Sequence, residues 1–350
     1  MLLVKDYPWT VSPLTVSAPM RLIALAPLAV AVSRAGGLGF IGAGTDVTDL
    51  EKYLREAAAL LKASPVEGAK RDILPIGVGF INWGTDIDVA VEAVRKYVPA
   101  AIWFFAPEKN TDLKQWTTRI RGVTSGRTRI WVQIGRVSDA LEIARICSPD
   151  VLVVQGTDGG GHGLQHGAGI ITLLPEVADA LSEAGHGNIC LVAAGGITEG
   201  RSVAAAFALG ANGVVMGTRF LACKEANIAK GYQNDVLRMR DGGPNTVRSN
   251  VYDRLRGTTG WPAHYGGRGI INQSYLDAKE GGITGENKTL YAEALKKGDH
   301  GWGEQGRLTA YAGTGVGLIK QVKSALEILD EVRDSVARIK PSLSRQSPRL

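Results

Sequence analysis

The densest chemical feature of the chain is Gln155-Gly156-Thr157-Asp158-Gly159-Gly160-Gly161-His162-Gly163. Three consecutive glycines are costly to order, so a simple turn would seldom demand them. They would let a loop lie flat against a planar ring and present His162 at its tip. An imidazole works as a proton acceptor near neutral pH, which suits proton removal beside a carbonyl or nitro group. His166 follows four residues later, but no carboxylate set accompanies the pair, so no metal site is expected.

Two later glycine sites suggest a phosphate cradle. Val192-Ala193-Ala194-Gly195-Gly196-Ile197 ends an apolar run and leads into a helix-like stretch. Residues 213–220 repeat the arrangement, with Met216-Gly217-Thr218 at the turn. Backbone N–H groups at such turns favour a phosphate, and glycine permits its close approach. Tight turns without a ligand are the alternative.

These residues need a frame to hold them. Short apolar runs fall at 14–20, 38–43, 74–80, 101–106, 129–134, 151–155, 190–194 and 213–216. Helix-like periods at 49–62, 86–97, 138–147, 174–184 and 200–209 lie between them, and Thr48, Thr85, Ser138 and Thr198 are candidate caps. The runs are apolar nearly throughout, as strands buried on both faces should be. Eight such units point to an α/β fold, a (β/α)8 TIM barrel, with a doubly wound open sheet as the alternative. Polar residues and glycines follow the C-terminal ends of the runs, among them Pro19, Met20, Gly77, Gly79, Gln133 and Gln155. Barrel active sites are built on that face, and the loops after the last two strands are a recurrent phosphate site.

Beyond the eighth run the alternation stops. Residues 224–310 are polar, rich in Gly and Asn, and carry Trp261, His264, Tyr265, Tyr275 and Trp302. One apolar helix is expected over 316–332, before a Pro/Ser/Arg tail. The expected organisation is a barrel of residues 1–222 and 311–332, a lid or substrate subdomain over 223–310, and a flexible tail over 333–350. The middle segment reads as a small, mostly helical C-terminal add-on covering the barrel mouth.

Composition narrows the function. Hydrophobic residues make up 45% and charged residues 21%, enough apolar material for a large core. Glycine accounts for 45 of 350 residues, clustered behind apolar runs where backbone would approach a ligand. The net charge is +6, but no block of Lys and Arg interleaves with aromatics, so nucleic-acid binding is not expected. Cys147, Cys190 and Cys223 lie far apart, each beside an apolar segment, and read as free thiols of a reducing compartment. Residues 22–32 are too short to span a bilayer and contain Pro27. No secretory signal is expected, so the chain reads as cytoplasmic with no membrane association. The ending Pro348-Arg349-Leu350 only loosely resembles a peroxisomal address.

The combination of motifs resembles the nitronate monooxygenase family, formerly called 2-nitropropane dioxygenases, whose signature reads roughly Gln-Gly-x-Glu-Ala-Gly-Gly-His. Ala-Pro-Met at 18–20, Ala-Ala-Gly-Gly-Ile at 193–197, Met-Gly-Thr-Arg-Phe at 216–220 and Ala-Gly-Thr-Gly-Val-Gly-Leu-Ile at 312–319 match that family in the same order. The resemblance covers about residues 14–222 and again 310–330. It implies FMN at the strand C-termini, oxidation of alkyl nitronates or nitroalkanes with O2 to a carbonyl compound and nitrite, and His162 as the catalytic base. Pro19 and Met20 would lie near the flavin ring, with Gln155, Gly160 and Gly161 against the cofactor. Gly195 and Gly196, with Val215, Met216, Gly217 and Thr218, would hold the phosphate. Gly313 is assigned to the same cofactor site. Gly79 and Gln133 depart from the family, which often has Asn and Lys at these positions. Gln133 could only donate a hydrogen bond where Lys would add positive charge. The motifs also resemble NAD(P)H-dependent flavin reductases of the enoyl-reductase type, and a non-catalytic flavin-binding barrel is a third reading. The expected partners are a small-molecule substrate and O2, and a homodimer is left open.

Overall fold

A strand that is apolar at every position must be covered on both faces, and a closed sheet ringed by helices does this. The computed structural model, which describes residues 2–344, has that form. Its barrel strands are β1 (Thr15–Ser17), β2 (Leu38–Gly44), β3 (Leu74–Ile81), β4 (Pro99–Phe105), β5 (Arg129–Ile134), β6 (Val151–Gln155), β8 (Cys190–Ala194) and β9 (Gly213–Met216). All pair in parallel, and β9 returns to β1 through Val215 opposite Val16, which closes the ring. The open-sheet alternative is therefore excluded.

Aromatic rings fill the barrel. Phe40 packs edge-on against Trp103 and tilted against Trp131, each at 5.3 Å. Trp131 donates its Nε1–H to the buried Tyr7 hydroxyl at 2.7 Å, below them. Gly77 serves this packing: a Cβ there would come within 2.2 Å of the Phe40 ring. It makes room for the core and does not belong with the glycines of the mouth.

Helix starts differ from the expected threonines by a residue. Asp86 caps Ile87–Tyr97 by accepting from the Asp88 and Val89 amides, and Glu199 forms a capping box with Ser202. A carboxylate at a helix N-terminus gains from the helix dipole in addition to the hydrogen bond, and so displaces a neighbouring hydroxyl. Ser138 lies inside Val137–Cys147.

The expected helix over 316–332 is two pieces: a 3-10 turn, Thr314–Leu318, and a helix, Ala325–Ser344. Close approach of backbone explains the break. A Cβ on Gly315 would lie 3.1 Å from the Gly196 carbonyl oxygen, and one on Gly317 would lie 3.0 Å from the Asp241 amide nitrogen. The helix packs on Gly200–Ala208 and Ala26–Arg34, with Ile328, Leu329, Val332 and Val336 buried. The expected tail is thus helical from 333 to Ser344, while residues 345–350, including Pro348-Arg349-Leu350, lie outside the described residues.

The segment after the barrel is mostly helical but also contributes sheet. Strands β10 (Thr246–Ser249) and β11 (Tyr265–Ile270) join β7 (Gly161–Leu164) in the order β10-β11-β7, all antiparallel. Because β7 continues from the triglycine run, the add-on pairs directly with the chain that carries His162. Among the described residues no helix is long and apolar enough to cross a membrane.

Candidate active site

The glycines and polar residues at the strand ends converge on one cavity of about 560 Å³, an ordinary size for a cofactor or ligand site. Pro19, Met20, Gly79, Gln133, Gln155, Gly160, Gly161, His162, Gly195, Gly196, Val215, Gly217, Thr218 and Gly313 all line it. Met216 does not. Successive residues of a strand face opposite sides, so with Val215 turned to the cavity Met216 is fully buried in the wall. Its carbonyl accepts from the Ala18 amide at 3.0 Å.

Several wall positions tolerate no side chain. A Cβ on Gly79 would fall 2.3 Å from Pro19, and one on Gly160 would fall 2.4 Å from the Gly313 nitrogen. Gly195 and Gly196 have φ of +98° and +76°, in the region that favours glycine. Thr218 accepts from the Gly313 amide at 3.0 Å, which leaves its own O–H free to donate. On the floor, Trp103 donates Nε1–H to Gln133 Oε1 at 3.2 Å. An indole can only donate, so this bond fixes the amide with its NH2 available to the cavity.

His162 does not sit at a loop tip. It is in β7, opposite Gly267 of β11. Its Nε2 lies 3.0 and 2.9 Å from the two oxygens of Asp253, which is only 4% exposed. The same carboxylate accepts from the Tyr311 hydroxyl at 3.0 Å and from the Thr258 hydroxyl at 3.0 Å. Burial, reinforced by the charge of Asp253, pushes the Tyr311 phenol well up, so it stays a donor at any working pH. The Trp261 indole lies flat on the imidazole, with centroids 3.6 Å apart and planes 6° from parallel. Trp83 and Phe105 back Trp261 at 5.8 and 5.9 Å. His166 is exposed, and among the described residues no group of three or more His, Cys, Asp or Glu gathers as metal ligands would.

Behind the triglycine run lie two arginines directly opposite each other in the small sheet, Arg248 and Arg268. Arg248 donates to the carbonyls of Gly161, Gly266, Thr157 and Gly159 at 2.7–3.2 Å, and Arg268 donates to Thr157 at 3.1 Å. Burial, with Arg268 beside it, pulls Arg248 down to about 10. Facing like charges destabilise a sheet, and here the carbonyl clamp and the nearby charge of Asp158 offset that cost.

Sequence reasoning missed Asp253, Thr258, Tyr311 and Arg248, and gave Trp261 no role. None stands in a motif, and each is brought in by the add-on or just after it. The only available signal was the density of aromatic and polar residues in a segment too long for a simple connection.

A closed parallel barrel with a glycine-walled cavity at its C-terminal mouth, entered by a histidine, defines a barrel enzyme of the cofactor-binding kind. The family model for nitronate monooxygenase matches residues 111–332. The nitronate monooxygenase npaC of Metarhizium robertsii is 50% identical over 345 residues, 97% of this chain and 96% of that protein. A nitronate monooxygenase of Neurospora crassa is 36% identical over 346 residues, 94% and 90% of the two chains. Among solved structures, a nitroalkane oxidase from Streptomyces ansochromogenes superposes with a TM-score of 0.74 at 21% identity, covering 98% of this chain and 100% of that one, a likeness of fold. The chain belongs to the nitronate monooxygenase family, a family of flavin-dependent oxidoreductases.

Proposed function

We propose that the chain oxidises alkyl nitronates, or the parent nitroalkanes, with O2 to a carbonyl compound and nitrite, using FMN as its flavin. The observation that carries the reading is His162 entering a cavity whose walls exclude side chains at Gly79 and Gly160. Such walls suit a flat ring system, and the residues present fit FMN. Gly195, Gly196, Gly217 and Thr218 would hold the phosphate, with backbone N–H groups and the free Thr218 hydroxyl as donors. Gln133 would donate to a ring carbonyl, and Pro19, Met20, Gln155, Gly161, Val215 and Gly313 would border the cofactor. Met216 would act only as wall. Bound there, the flavin supplies electron acceptance and reaction with oxygen.

The protein's own part is binding, orientation and proton transfer. His162 takes the α-proton of a neutral nitroalkane: the C–H bond breaks, its electron pair forms the C=N π bond as the N=O π pair moves onto oxygen to give the nitronate, and the proton bonds to the imidazole. Residues 223–310 act as a lid on the barrel of 1–222 and 311–332. Asp253, Arg256, Thr258 and Trp261 from that segment line the cavity and support this role.

The test is anaerobic mixing of the flavoprotein with a nitronate and, separately, with NADPH. Flavin reduction by the nitronate is expected, with oxygen uptake and nitrite release once air is admitted. Flavin bleaching by NADPH alone would move the chain to the reductases of the enoyl-reductase type, and neither oxygen uptake nor nitrite would end the nitronate reading. Replacing His162 by Asn should lower kcat/KM for a neutral nitroalkane by about 10²–10⁴-fold, the usual worth of a positioned base.

A further inference from the structure

The stack of His162 on Trp261 fixes the plane of the imidazole but not its orientation within that plane. A half-turn about the Cβ–Cγ bond would keep the stack while exchanging Nε2 with Cε1 and Nδ1 with Cδ2. Only one of these orientations places a nitrogen against Asp253, and a C–H there would leave a buried carboxylate oxygen poorly paired. A carboxylate accepts and does not donate, so the nitrogen facing it carries the hydrogen. The ring is therefore a donor at Nε2. Its other nitrogen, Nδ1, makes no hydrogen bond to the described residues and is not among their buried, unpartnered polar atoms. Since His162 lines the cavity, Nδ1 is the ring nitrogen left for a ligand there.

The carboxylate is itself held. Tyr311 and Thr258 both donate to Oδ1, and no Lys or Arg of the described residues reaches ion-pair distance. Its neutral partners set its position, while Arg256, which feels its charge, stays beyond ion-pair distance.

We infer that Asp253, supplied by the add-on, is a positioning residue that makes Nδ1 of His162 the proton-accepting atom. In the step, the substrate C–H bond breaks, its electron pair passes into the nitronate, and the proton forms an N–H bond at Nδ1. The imidazolium then donates from Nε2 to Asp253. This rests on the proposed nitroalkane chemistry for its kinetic consequence but not for the tautomer itself.

The experiment has two arms on the flavin-loaded protein. In the first, Asp253→Asn and Asp253→Glu are assayed with a neutral nitroalkane and with the nitronate prepared from it beforehand. Asn can present its NH2 and so favour the wrong ring nitrogen, whereas Glu keeps an acceptor. The expected result is a kcat for Asp253→Asn that falls about 30-fold or more further on the nitroalkane than on the nitronate, within the range a positioned base provides. Asp253→Glu should recover part of that gap. Equal losses on both substrates, or no loss on either, would overturn the proposal. In the second arm, 15N NMR of the His162 ring, at a pH where the ring is neutral, should show hydrogen at Nε2 in the wild type and a changed ratio in Asp253→Asn. A hydrogen at Nδ1 in the wild type would overturn the proposal whatever the substrate. Inactivity of the wild type on both substrates, with hydrogen at Nε2, would instead fail the function reading and leave the tautomer standing.

Discussion

The barrel and its add-on meet at His162 and follow different physical rules. The barrel side is backbone: glycines at 79, 160, 195 and 196 forbid or strain any side chain, and the wall is shaped by what is missing. The add-on side is side chain: Asp253, Trp261 and Arg248 reach in to grip the imidazole or the loop that leads to it. One region makes space for a ligand, and the other fixes the direction of a functional group within that space. A change on the barrel side should therefore act through steric exclusion, and one on the add-on side through lost orientation.

The largest effect is expected from Gly160→Ala, which would break the barrel side. Its Cβ would meet the backbone of Gly313 and Ala312 at 2.4–2.5 Å, and backbone cannot step aside as a flexible side chain can. Urea unfolding of the apoprotein should show a loss of about 3 kcal/mol, the upper part of overpacking costs, together with loss of bound flavin. Gly161→Ala is the internal comparison, since its Cβ meets nothing within 4 Å and only φ of +67° opposes it. It should cost about 1 kcal/mol.

Next is Arg248→Met, which tests the clamp from the add-on side. It strips four carbonyls of a charged donor, and at about 1–3 kcal/mol for a buried group left unpaired the net loss should be about 2 kcal/mol after relief of the buried charge. Arg248→Lys should not restore it in the same unfolding measurement, because an ammonium lacks the planar fork that reaches several carbonyls at once. Full stability in either variant would show that the small sheet orders the loop without the clamp. The smallest effect is expected from Trp261→Leu. It keeps apolar cover but removes the stack, for a shift of about 1 kcal/mol in the unfolding free energy. A larger shift would mean that the aromatic cluster of Trp83, Phe105 and Trp261 holds the add-on to the barrel.

The same contrast governs what could be read from the chain. Strands β5, β6, β8 and β9 run where the apolar runs lie, because a doubly buried strand needs apolar residues at every position and short-range composition records that need. All but one of the expected cavity residues line the cavity, since most lie at or just past the C-terminal ends of barrel strands and the barrel brings those ends together. Met216 was misplaced because alternation along β9 turns it away from its neighbour Val215. The helix expected over 316–332 failed for a different reason: its apolar pattern is genuine, but the close approach of Gly315 and Gly317 to other backbone breaks it at a place local periodicity does not reveal.

By itself, then, the sequence determined the barrel strands, the glycines that wall the cavity and the histidine that enters it, because apolar runs and glycine-rich turns are local patterns. Tertiary structure alone decided which atom of that histidine faces the cavity. His162 and Asp253 are 91 residues apart and Arg248 lies 87 residues from Gly161, so their pairing depends on β7 joining the sheet of the add-on. No local pattern encodes such a contact, because hydrogen-bond direction is set only when both partners are held in place.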